Sequence, residues 1–207
     1  LHLCSHNLES IQTNNYNSSK AKHNLLVDVC MAAKYEGDLI KTLHREHQLT
    51  NEGTASQLCT ELARSFADIG DIVRGKDPFY GNKQEKEQRE KLDNNLKEIF
   101  KKIYEELKNG SNGKEAQEYY KKDDEDGNFF KLREDWWRVN RDQVWKAITC
   151  GHPGGTYFRN TCGSGEKGSP TDGQCRCPKT SDDKAIKAND NVNIVPTYFD
   201  YVPQYLR

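Results

Sequence analysis

The sequence predicts a mostly α-helical, disulfide-stapled domain with irregular loop segments, and three observations predict it. Two long segments carry apolar residues at helical spacing, a third helical segment holds all three tryptophans, and seven cysteines accompany a polar composition. Only 34% of the 207 residues are hydrophobic and 30% are charged, with a mean hydropathy of −1.00, so burial must be concentrated in a few stripes. Cysteine use of this kind fits disulfides formed in an oxidising compartment better than reduced cytosolic thiols. The net charge of −1 is unlike the basic face that nucleic acid selects, so no nucleic-acid partner is expected. No run approaches the roughly 18 apolar residues of a membrane span, and any anchor is expected outside this chain.

Asn7 to Lys20 is polar and rich in Asn and Ser. Leu25, Leu26, Val27, Val29, Ala32, Ala33, Leu39 and Leu43 then suggest one or two helices, interrupted near Gly37. From Thr54 to Arg74, Leu58, Leu62, Phe66, Ile69 and Val73 step by four, four, three and four, which is one face of a helix that ends at Gly75. From about Gln84 to Lys108, Leu92, Leu96, Ile99, Ile103 and Leu107 repeat the pattern, while Lys and Glu balance on the other faces. The turn-forming run Asn109 to Gly113 closes that helix. A shorter helical stretch, Lys114 to Lys122, leads into an acidic loop, Asp123 to Asn128.

In LREDWWRVNRDQVWKAITC, Leu132 to Cys150, the residues Trp137, Arg141, Val144 and Ile148 share one face and Trp145 adjoins it. Each buried indole removes on the order of 150–250 Å² from water, so a few large side chains can supply a core that numbers alone cannot. Beyond Cys150 a Gly/Pro/Ser-rich segment holds Cys162, Cys175 and Cys177 and reads as a disulfide-tied loop region. The aromatic tail with Pro196 and Pro203 is expected to lead into another helix.

Five stretches in order, LHLCSHNLE (Leu1 to Glu9), LLVDVCMAAKYEGDLI (Leu25 to Ile40), ARSFADIGDIVRGKDPF (Ala63 to Phe79), the tryptophan stretch, and VPTYFDYVPQYLR (Val195 to Arg207), resemble the Duffy-binding-like domain. The resemblance is to its alpha class, found in the variant erythrocyte membrane proteins of malaria parasites. It implies a helical fold of three subdomains, here residues 1–50 as the remainder of the first, 51–150 as the second, and 151–207 as a disulfide loop opening the third. In that family a cysteine-bearing segment precedes LHLC and a helical hairpin follows PQYLR, so a truncated domain is expected. Seven cysteines with one left over leave roughly a hundred pairings open to sequence reasoning. The resemblance implies Cys30–Cys150, Cys59–Cys177 and Cys162–Cys175, with Cys4 bonded to a partner outside the chain.

The implied function is adhesion at the infected red-cell surface to receptors of red cells or endothelium, including rosetting, with host antibodies as further partners. Heparan sulfate, complement receptor and blood-group sugars are the family's candidate ligands. A red-cell invasion ligand of the same superfamily and a non-binding spacer are the alternatives. The residues that a polyanion would meet are the cations of the second periodic helix: Lys83, Lys86, Arg89, Lys91, Lys97, Lys101, Lys102 and Lys108. Interleaved glutamates offer a competing account, a merely solvated helix face.

No catalytic residue, cofactor or metal is expected. Asp68 and Asp71 lie one turn apart like an acid/base pair, but a structural role, with one of them neutralising Arg141 across a helix interface, explains them better. His44 and His47 lack the HExxH context, and His152 among cysteines lacks CxxC spacing. An EF-hand reading of the acidic loop would put Lys122 and Arg133 at ligand positions, which excludes it.

Overall fold

Helix α1 spans Ala21–Thr50, α2 Leu58–Arg74, α3 Lys83–Lys108, α4 Gly113–Tyr119, α5 Lys121–Asp126 and α6 Phe130–Ile148, followed by 3₁₀ turns at Phe199–Tyr201 and Gln204–Leu206. This computed structural model describes residues 20–50, 58–77, 82–151 and 195–207, together with Leu8, Ile11, Tyr16, Tyr157, Asn160, Cys162, Pro170, Thr171 and residues 175–177. The expectations for Cys4 and His152, and for the side chain of His47, lie outside the described residues. The chain divides into two compact units, residues 1–32 with 68–141 and residues 33–67 with 142–207.

The first unit is built on α3, whose buried stripe is Leu92, Leu96, Ile99, Phe100, Ile103 and Tyr104. That stripe follows directly from the four–three periodicity of the sequence. Trp136 meets Phe100 edge-on with centroids 6.2 Å apart. Trp137 is fully buried against Gly70 of α2, where a Cβ would come within 2.7 Å of the indole, so a glycine is needed for this approach. Arg74, Arg133 and Arg141 are buried in the same unit. Arg133, 0% exposed, donates to the Val73 carbonyl at 2.6 Å and the Ile72 carbonyl at 3.0 Å and pairs with Asp93 at 2.9 Å. Arg74 donates to the Gly70 carbonyl at 3.0 Å and pairs with Asp71 at 2.9 Å and Glu134 at 3.2 Å. Every such contact offsets the desolvation that an unpaired buried guanidinium would suffer. Asp71, one of the two carboxylates expected to neutralise Arg141, is thus paired along its own helix.

In the second unit, Phe66 of α2 lies edge-on to Trp145 of α6 with centroids 5.1 Å apart. The Trp145 indole N–H donates to the Cys175 carbonyl at 3.1 Å, and the buried Ser65 hydroxyl donates to Glu36 at 2.6 Å. Two disulfides, Cys59–Cys175 and Cys162–Cys177, tie the irregular segment down. Arg176 between them donates to Thr149 Oγ1 at 2.9 Å and the Lys146 carbonyl at 2.8 Å, so this segment is fixed at the end of α6.

Four expectations are corrected. The bridges are Cys59–Cys175 and Cys162–Cys177, not Cys59–Cys177 and Cys162–Cys175, because the bond from Trp145 holds Cys175, rather than Cys177, in the buried position. Cys150 is an exposed free thiol, so the Cys30–Cys150 bridge is not formed. Helix α1 continues through Gly37 without interruption. That glycine serves close approach instead, since a Cβ there would lie 2.0 Å from the Ile148 carbonyl oxygen. The acidic loop is helical through Asp126, with Asp123 and Asp124 in the first turn, where carboxylates suit the helix dipole. Gly127, at φ +66°, then reverses the chain, and the buried Asp123 carboxylate accepts from the N–H groups of Lys131 and Leu132 at 3.2 and 2.7 Å.

Candidate functional site

Helix α3 presents the cations that the sequence offers to a polyanion, and its start is firmly set. Asn82 Oδ1 accepts from the Glu85 N–H at 2.9 Å, and the Glu85 carboxylate accepts from the Asn82 N–H at 3.0 Å, a reciprocal capping box. Lys83, Lys91, Lys101, Lys102 and Lys108 fall on the side of the helix turned from its buried stripe, and Lys86 and Lys97 flank that stripe. Most are already matched by a carboxylate. Lys83 reaches Glu87 at 4.0 Å, Lys86 reaches Glu90 at 3.8 Å, Lys97 reaches Asp93 at 2.9 Å and Lys108 reaches Glu105 at 3.3 Å. Arg89, only 16% exposed, pairs with Asp77 at 3.2 Å and is withdrawn from the surface. Lys91 and Lys101 are exposed, and Lys102 is half-buried. The structure therefore brings the eight cations onto one helix but intersperses them with acids, giving a mixed-charge face rather than a positive patch.

The carboxylates nearest the buried arginines have altered acidity. Burial resists the charge on Asp93, but hydrogen bonds and attraction from Lys97 and Arg133 outweigh it and hold the carboxyl below its ordinary range. Burial likewise opposes ionisation of Glu134, and the hydrogen bond from Lys76 with the nearby charge of Arg74 more than compensates. These are structural carboxylates, each engaged by cations. Among the described residues no group of His, Cys, Asp or Glu is placed to hold a metal ion.

Sequence reasoning weighed Arg133 only as a misfit at a calcium-ligand position and passed over its burial. The signal for Arg133 was present, one turn before Trp137 on the same buried stripe.

A family model of the Duffy binding domain matches residues 1–207. The chain belongs to this family. Two solved structures of Plasmodium falciparum are similar over nearly all of this Duffy binding domain. The NTS-DBL1(alpha-1) domain of membrane protein 1 (PfEMP1) from the varO strain is 42% identical, with a TM-score of 0.69, over 99% of this chain and 40% of its own. The PfEMP1 IT4var13 DBLbeta domain, described as ICAM-1-binding, is 31% identical with a TM-score of 0.65, over 100% of this chain and 39% of its own. A second structure of that DBLbeta domain, bound to ICAM-1, is 35% identical over 72% of this chain and 34% of its own, with a TM-score of 0.54. The chain thus spans about two fifths of the alpha-class domain it matches. No curated protein matches it. The family is one of adhesion domains, not of enzymes.

Proposed function

We propose that this Duffy binding domain is an extracellular adhesion module that attaches an infected red cell to receptors on other red cells or endothelium. The observation that carries this reading is its 35% identity to a PfEMP1 domain solved with ICAM-1 bound. The 42% identity to an alpha-class PfEMP1 domain supports display at the infected-cell surface over a role in red-cell invasion. Heparan sulfate, complement receptor and blood-group sugars are the ligands this reading favours, with rosetting as the outcome and host antibodies as competing partners. It retains the division into residues 1–50, 51–150 and 151–207. Recognition rests on shape and charge, with weak single contacts multiplied by many displayed copies.

On the α3 face, contacts to a polyanion would fall first to Lys91 and Lys101, because Lys83, Lys86, Arg89, Lys97 and Lys108 must each give up a carboxylate partner to bind and Lys102 is half-buried. The test is adhesion of beads coated with the purified chain to red cells of different blood groups and to endothelial cells, with and without soluble heparin. Adhesion that declines with salt or heparin is expected. Absence of adhesion to every cell type, together with no retention on heparin at low salt, would leave only the spacer.

A further inference from the structure

Asn109-Gly110 and Asn112-Gly113 are the two Asn-Gly pairs of the sequence, and both lie where α3 turns into α4. The pairing has chemical meaning. Glycine has no Cβ to shield its amide nitrogen, so after an asparagine that nitrogen can reach the side-chain amide carbon. Both asparagines are exposed. Closing the ring also requires the glycine nitrogen to swing towards the asparagine Cβ by rotation about ψ, and the two positions differ in what resists that rotation.

Asn109 ends α3 at φ −89° and ψ −2°, with its own N–H bonded back to the Glu105 and Leu107 carbonyls. Rotation there gives up the 3.2 Å bond from the Gly110 N–H to the Leu107 carbonyl, at a helix end where carbonyls lack helical partners in any case. Asn112, at φ −108° and ψ +31°, holds the following nitrogen further from its Cβ. Its carbonyl accepts from the Ala116 N–H at 3.0 Å as α4 begins, and the Gly113 N–H donates to the Gly110 carbonyl at 3.1 Å. Gly113 is buried, so close to the end of α3 that a Cβ on it would lie 2.1 Å from the Lys108 carbonyl oxygen. Turning the Asn112–Gly113 peptide therefore disrupts the first turn of α4, whereas turning the Asn109–Gly110 peptide moves an exposed loop.

We propose that Asn109 is a site of spontaneous deamidation and that the fold shields Asn112 from the same reaction. The Gly110 nitrogen bonds to Asn109 Cγ as it loses its proton, the Cγ–Nδ2 bond breaks, and ammonia leaves. Water then opens the resulting succinimide at either carbonyl, giving aspartate or isoaspartate with no oxidant or reductant consumed. Either product places a carboxylate at the C-terminal end of α3, where the helix dipole disfavours negative charge. Lys108, held by Glu105 at 3.3 Å, gains a second acidic neighbour. Isoaspartate also lengthens the main chain by one carbon between α3 and α4. The turn thus changes its charge and its geometry with age, whatever receptor the module binds.

The experiment incubates the whole chain at mildly alkaline pH, one sample folded and one unfolded in guanidinium chloride. Peptide mapping by mass spectrometry, with fragmentation that separates aspartate from isoaspartate, follows both asparagines in time. Dividing each folded rate by the unfolded rate of the same residue removes the effect of local sequence. On that scale Asn109 should convert at least fivefold faster than Asn112. In Asn109→Gln, where the ring to be closed is six-membered, conversion at this position should fall at least tenfold while circular dichroism melting and the Asn112 rate stay unchanged. Asn112 converting as fast as Asn109 or faster on the same scale would overturn the proposal. So would an unmodified Asn109 in the folded chain after an interval long enough to convert it fully in the unfolded one.

Discussion

The two compact units solve one problem, a chain too polar for a large core, in different ways. In the first, regular helices bury charged residues beside indoles: Arg133 and Arg74 are 0% and 2% exposed in their side chains, and each is matched by carbonyls and carboxylates. In the second, one indole and one phenylalanine pack together, and oxidised sulfur fixes what no periodic stripe could hold. The difference teaches where each device is usable. The Arg133 guanidinium is buried where a helix end supplies carbonyls at fixed positions, as the end of α2 does through Ile72 and Val73. Cys162 and residues 175–177 lie in no helix, and there covalent closure takes over.

The sharpest way to break this comparison is to remove the long bridge. Cys59→Ser with Cys175→Ser opens a closure of 116 residues and should cost about 5 kcal/mol by the chain-entropy model, read by denaturant unfolding. Trp145 fluorescence should shift to the red in that variant, because its indole N–H bonds to the carbonyl of the released residue. The matching lesion in the first unit is Arg133→Ala, which removes the donor to the buried Val73 carbonyl, one of two donors to the Ile72 carbonyl and one of the two cations on Asp93, and should cost about 3 kcal/mol. A loss below about 1 kcal/mol would show that the guanidinium is replaceable there.

Smaller effects sharpen the contrast. Gly37→Ala in the second unit drives a methyl into backbone at Ile148 and should destabilise by about 3 kcal/mol, whereas Gly70→Ala meets only an indole edge and should cost about 1–2 kcal/mol. Equal melting shifts for the two would contradict this ranking. Acid should act through the ion pairs and spare the disulfides. Asp93 and Glu134 have depressed folded-state pKa values, so their contribution is complete above the unfolded-state values and is lost as pH falls through the folded ones. Unfolding titrations stepped from pH 6 downward should therefore show a decline that Asp93→Asn with Glu134→Gln flattens.

The helical framework was legible because its cause is periodic. The stripe of Leu62, Phe66, Ile69 and Val73 is buried as its spacing requires, and so are Trp137, Val144 and Ile148. What escaped depends on contacts between residues distant in sequence. Gly37 reads as a break until Ile148 is known to lie against it, and CxC spacing cannot tell which sulfur faces Cys59. Arg133 is polar by type and buried by position, and a hydropathy pattern reports only the first. On the surface, the α3 lysines and their partners three or four residues away on the same helix were legible as interleaved charges, whereas the pairing of Arg89 with Asp77 depends on how the chain before α3 lies against it.

Hydrogen exchange with and without reductant tests the contrast between the units most directly. With the disulfides reduced, amides of residues 58–67 and 175–177 should lose protection while those of α3 and residues 130–141 keep most of theirs. Loss of protection in both sets at the same reductant concentration, or in neither, would contradict the assignment of sulfur to one unit and buried arginine to the other.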